Sequence, residues 1–142
     1  MKSAVVTVSG AVGSTLAFFF GGWDTSIAVL LSLMAIDYIT GLLAAGVFHK
    51  SKKSETGGLE SNACFKGLVK KGMILFYVVV GNLLDKQLGA DFVRTGVCVA
   101  FIVSETISII ENGDLMGVPL PAVVKKALNL LNQKEEDISN DK

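Results

Sequence analysis

The chain alternates long apolar runs with short polar clusters. Between Ala4 and Gly22 there is no charged residue, and between Thr25 and Phe48 only Asp37, with twelve residues before it and eleven after. A soluble helix pairs an apolar stripe with a charged face, whereas these runs are apolar all round. About 20 such residues, rising 1.5 Å each, cross the ~30 Å hydrocarbon core of a bilayer. The pattern predicts spans over residues 4–22, 25–48, 67–84 and 92–110. Trp23-Asp24 reads as a tight turn with the indole at the interface. The apolar centre of the third span, Gly72 to Leu84, is short and needs Leu68 and Val69, with Lys70 and Lys71 snorkelling toward the headgroups. Phe65, Leu68, Val69 and Gly72 recur at i, i+3, i+4 and i+7, which predicts a surface-lying amphipathic lead-in that then turns inward.

Residues 49–66 form a basic loop, with Ser51 to Ser61 around Gly57-Gly58 as its least structured part. Glu111-Asn112-Gly113-Asp114 reads as a turn closing the fourth span. Pro119 and Pro121 then open an amphipathic helix over 121–133, too short to span, followed by a charged, solvated tail over 134–142. The expected fold class is an all-α integral membrane protein: one domain over 1–142, four transmembrane helices and a C-terminal amphipathic helix. Three spans remain an alternative, because Ser9, Gly10, Gly13, Ser14 and Thr15 weaken the first run.

Composition agrees. Of 142 residues 51% are hydrophobic and 18% charged, the net charge is zero, and mean hydropathy is +0.55. Zero net charge gives no electrostatic case for a nucleic-acid partner. Cys64 and Cys98 lack metal or disulfide spacing. One lysine before the first run, and no A-x-A-like site after it, argue for an uncleaved span. In a four-span topology eleven Lys and Arg residues fall on the side of the termini and only Lys86 and Arg94 on the other. The positive-inside rule then puts both termini in the cytoplasm.

The chemistry-bearing residues do not form a catalytic set. His49 is the single histidine, at a span end, without a nucleophile or a metal-ligand cluster, and no phosphate-binding glycine loop is present. No enzyme activity and no cofactor are expected. The helix faces say more. Gly96, Ala100, Ser104 and Ser108 form a small-residue ladder on the fourth span, and Ser9, Gly13, Ala17 and Gly21 another on the first. Such ladders let helices approach closely in lipid, either within one bundle or between copies. Asp37 and Glu105 are intramembrane acids, each tolerated only if protonated, paired or facing water. Thr40, Gly41 and Ala45 share the neighbourhood of Asp37, so a pore lining or an assembly interface is expected there. Lys50, Lys52, Lys53, Lys66, Lys70 and Lys71 are expected to hold topology and contact anionic lipid. Arg94, near a span end, is expected to snorkel without a special role.

In that order and spacing the chain resembles the phage-type holins, the family shared by phage lysis holins and clostridial-type toxin-secretion holins. The resemblance covers roughly 25–131. It rests on Met34-Ala35-Ile36-Asp37-Tyr38-Ile39-Thr40-Gly41, Gly67-Leu68-Val69-Lys70-Lys71, Gly81-Asn82-Leu83-Leu84-Asp85, Glu105-Thr106-Ile107-Ser108-Ile109-Ile110-Glu111-Asn112 and Gly117-Val118-Pro119-Leu120-Pro121. It implies accumulation in the cytoplasmic membrane, homo-oligomerisation, and lesions that release an endolysin or a large toxin as cargo. Two other readings stay open: a small ion or proton channel or transporter using Asp37 and Glu105, and an antiholin-type regulatory subunit.

Overall fold

The computed structural model describes residues 1–127 with Asn129 and Leu130. It contains four long helices: α1 (Lys2–Phe20), α2 (Thr25–Gly46), α3 (Ser61–Leu88) and α4 (Val93–Leu115). All four are long and apolar enough to cross a membrane, so the chain is an all-helical, multi-pass membrane protein.

The helix ends are where the polar backbone must be satisfied. Gly21 ends α1 at φ 78°, its N–H donating to the Ala17 carbonyl, a left-handed position that glycine takes without strain. Asp24 caps α2 by accepting from the Ile27 N–H at 3.1 Å. Gly89, at φ 64°, ends α3. The cap of α4 comes from another helix: Asp85 on α3 accepts from the N–H groups of Val93 and Arg94, both at 2.9 Å.

Packing centres on α2 and α4, with α4 also lying along α3. Arg94 meets Asp24 at one end, while Asn112 meets Asp37 and Thr40 farther along, so α2 and α4 run parallel. Their contact has the alternating three-and-four spacing of a coiled-coil seam. Ile27, Leu30, Met34, Asp37, Gly41 and Ala44 supply one side; Arg94, Cys98, Phe101, Glu105, Ser108 and Asn112 supply the other. One stretch of the seam is an apolar core of Ile27, Leu30, Met34 and Cys98, closed by Val78 from α3. The next stretch is polar. By contrast α2 and α3 barely touch, and α1 has no buried residue, meeting α3 only weakly.

Three local expectations are corrected. Ser61–Leu88 is one continuous helix, so the residues before Gly72 do not lie along the surface and then turn. Its 28 residues carry the helix well beyond the expected 67–84. Second, Glu111 to Asp114 belong to α4; the helix continues because Asn112 is buried against α2 and finds acceptors there. Third, neither Lys71 nor Arg94 snorkels outward: both turn into the protein, Arg94 being only 8% exposed. Residues 122–127 are helical and largely exposed. The rest of the amphipathic helix expected over 121–133 lies outside the described residues, apart from Asn129 and Leu130, as does the tail over 134–142.

Candidate functional site

The polar stretch of the α2/α4 seam gathers charge at mid-span. Asp37 and Glu105 each stand twelve residues after the first residue of their helix. At 1.5 Å per residue that is about 18 Å along parallel helices, near the centre of a ~30 Å core. Both carboxylates are buried, and both accept from the Lys71 ammonium of α3, Asp37 Oδ2 at 2.8 Å. Asp37 Oδ1 accepts from Asn112 Nδ2 at 3.0 Å, and the same amide donates to Thr40 Oγ1 at 3.0 Å. Lys53, from the loop between α2 and α3, reaches over the cluster, 3.9 Å from Asp37 Oδ2 and donating to Ser108 Oγ at 3.4 Å. Two acids and two lysines therefore balance, and among the described residues no buried side-chain N or O lacks a partner.

A second cluster ties the opposite ends of the helices together. Arg94 grips Asp24 with two nitrogens, Nη1 at 2.8 Å and Nη2 at 3.1 Å, and donates through Nε to the Phe20 carbonyl. Asn82 donates to the carbonyls of Phe18 and Phe19, at 3.0 and 2.8 Å, taking up the free end of α1. Lys86 adds a 2.8 Å bond to the Phe18 carbonyl and sits over the Phe18 ring. Gly81 permits this: a Cβ there would stand 3.0 Å from Arg94 Cα and 3.2 Å from its N. The Arg94 guanidinium holds the Asp24 carboxyl below its ordinary value.

Because α2 and α3 diverge, an open cleft of about 500 Å³ lies between them at the end where the 47–60 loop crosses. Its floor is the Asp37–Lys71–Glu105 cluster. Lysines 52, 66 and 70 line its sides, and Tyr38, Leu42 and Ile74 form an apolar wall.

The expected site residues thus separate into groups. Asp37, Glu105 and Thr40 meet at the cluster, and Gly41 and Ala45 line the cleft beside it, as do Ser104 and Ser108. Lys52, Lys53, Lys66, Lys70 and Lys71 face the same cleft, while Lys50 does not. Among the described residues the upper part of the α4 ladder packs on nothing: Gly96 and Ala100 are exposed, and a Cβ on Gly96 would meet nothing within 4 Å. On α1, Ser9 is exposed, Gly13 and Ala17 are half-exposed, and only Gly21 lies against Asn82 and Arg94. Asn112, Asn82, Asp85 and the pairing of Arg94 with Asp24 were missed. The seven-residue spacing of Cys98, Glu105 and Asn112 is the signal that points to Asn112 as a seam residue.

Comparison with known proteins follows the same residues. The family model for the bacteriophage holin family matches residues 14–133, from within α1 to beyond α4. An uncharacterised protein of Clostridium perfringens strain 13 is 38% identical over 125 residues, 87% of each chain. A 14.9 kDa protein from the region 3′ of nagH in Clostridium perfringens is 37% identical over 127 residues, covering 88% of this chain and 90% of its own. An uncharacterised protein of Halalkalibacterium halodurans is 31% identical over 141 residues, 95% of this chain and 98% of its own. No solved structure matches the chain.

Proposed function

The chain belongs to the bacteriophage holin family, and we propose that it assembles with copies of itself in the bacterial cytoplasmic membrane and opens lesions that release a cell-wall hydrolase or a large toxin. The observation that carries this reading is a charged cluster held at mid-span inside a loosely packed bundle. A single subunit has little core: among the described residues one cluster of five buried apolar side chains joins α2, α3 and α4. Meanwhile α1 buries none of its residues, and among the described residues the Gly96–Ala100 face of α4 is exposed and without a partner. These unused faces suit helix–helix contacts between copies. Asp37, Lys71 and Glu105 supply the hydrophilic surface that a water-filled lumen needs at bilayer depth, and within one subunit the two acids are balanced by Lys71 and Lys53. Assembly that separates α3 from α2 and α4 would present those charges to water. The excess of lysine on the loop side supports a cytoplasmic loop and cytoplasmic termini.

A selective ion pathway is the competing reading, favoured by the one-sided cleft that ends at Asp37 and Glu105. Controlled expression in bacteria separates the two. The lesion reading expects abrupt collapse of the membrane potential and, with an endolysin present, lysis. Selective small-ion flux from reconstituted protein without passage of folded protein favours the channel, and normal growth with abundant inserted protein sinks both.

A further inference from the structure

We propose that the cleft between α2 and α3 is a binding site for one anionic phospholipid, its phosphate held by Lys52, Lys66 and Lys70 and the first part of an acyl chain lying on Leu42 and Ile74. Charge is the first argument. Five lysines and three carboxylates line the cleft, leaving a surplus of two positive charges. Lys71 is committed to Asp37 and Glu105, and Lys53 stands 3.9 Å from Asp37. Glu60 is turned onto Thr56, accepting from its N–H at 3.0 Å and its hydroxyl at 2.7 Å. Among the described residues Lys52, Lys66 and Lys70 are left without a carboxylate partner, so the surplus rests on these three.

Depth is the second argument. The 28 residues of α3 reach about 42 Å, roughly 12 Å more than the hydrocarbon core. Measured back from Leu88, a ~30 Å core ends about twenty residues earlier, near Val69. Lys66 therefore stands about 4–5 Å outside that boundary and Lys70 just inside it, both within side-chain reach of lipid phosphates, with Ile74 and Leu42 below in the acyl region. Shape is the third. Ala63 and Gly67 give α3 a flat face toward the cleft, and a Cβ on Gly67 would come only within 3.9 Å of the Tyr38 ring. The resulting space, about 500 Å³ and open, takes a headgroup and a short length of chain. Basic pockets between transmembrane helices on the cytoplasmic side recognise anionic headgroups by this combination.

The proposal rests on the membrane placement argued above and not on lesion formation, so a chain that retains lipid without lysing cells fails only the functional reading. The test is native mass spectrometry of the full-length protein released from vesicles of phosphatidylglycerol and phosphatidylcholine mixed equally. Preferential retention of phosphatidylglycerol on the monomer is expected. The K66Q/K70Q variant should weaken that preference by about fivefold per lysine, whereas K2Q/K50Q, equal in charge but outside the cleft, should not. Gly67→Leu should also lose retention, with helicity by circular dichroism unchanged, because it fills the cleft without altering charge. Equal loss in K2Q/K50Q would reduce the effect to diffuse surface attraction and overturn the proposal. Complete displacement by inorganic phosphate, or lipid found only on multimers, would overturn it as well.

Discussion

Asp37 and Glu105 stand level on two parallel helices and share one ammonium, that of Lys71. The arrangement joins three helices through a single cation, so the α3 contact with α2 depends on charge more than on apolar packing. Removing one member of a buried ionic set leaves the others uncompensated, while replacing the whole set with apolar residues of similar volume is often neutral.

Lys71→Met should therefore destabilise the subunit by about 3–5 kcal/mol. Replacing all three residues, as D37L/K71M/E105L, should restore most of that loss. Unfolding of the detergent-solubilised protein by denaturant titration measures both. A Lys71→Met midpoint equal to the parent's would show that the cluster contributes nothing to stability.

Substitution of Asp37 separates polarity from charge. Asp37→Asn leaves a one-to-one pair between Lys71 and Glu105 and keeps a polar group for Asn112. Asp37→Leu removes one acceptor of the buried Asn112 amide, which keeps the Thr40 hydroxyl and the backbone carbonyl of residue 37, and it also breaks the bond to Lys71, at about 1–3 kcal/mol. Lysis onset after induction should shift in both variants and further in Asp37→Leu. If both lyse on the parent's schedule, Asp37 is merely tolerated in the membrane and the proposed lining role is wrong.

At the other end, Asp24 caps α2 and neutralises the buried Arg94. Its carboxyl is held below its ordinary value by that guanidinium. A lowered folded-state value contributes stability that is present above the unfolded value of about 3.9 and lost as pH falls through the folded one. Thermal stability should thus drop in this acid window, and the Asp24-dependent part of the drop should vanish in Asp24→Asn, which is less stable at neutral pH. Because the Asp24 side chain is half exposed, at 49%, the effect should be small and weaken with salt. Identical acid profiles for parent and variant would contradict the assignment.

Two glycine substitutions should diverge. Gly81→Ala puts a methyl 3.0 Å from Arg94 Cα, a backbone contact that cannot swing aside. The α3/α4 junction must open, costing about 1–3 kcal/mol. Gly96→Leu meets open space and should leave subunit stability within about 0.5 kcal/mol. It should nevertheless reduce chemical crosslinking between copies if that face packs in an assembly. Undiminished crosslinking would remove the upper ladder from the interface.

Some of this was legible in the sequence through particular residues. Charge-free runs flanking a lone Asp37 identify helices surrounded by lipid, since only full internal hydrogen bonding lets a backbone cross hydrocarbon. Likewise Trp23-Asp24 marks the turn between the first two helices through a rule that acts within a few residues. The end of α4 was misread because Asn112-Gly113 has turn chemistry locally, while a seam contact across 75 residues keeps it helical.

The lipid environment, the long apolar helices, with three or four of them left open as spans, and two acids inside apolar runs can therefore be read from the chain alone. Those follow from local composition and from a fixed rise per residue. How the helices meet in space settles that Lys71 turns inward to both acids, that Arg94 locks onto Asp24, that α1 is held only at its C-terminal end, and that, among the described residues, the Gly96–Ala100 face of α4 stays unpartnered. Those depend on how helices rotate and pair across 34 to 75 residues of chain. No local propensity encodes that rotation; it is set by which buried charges find partners when the helices meet.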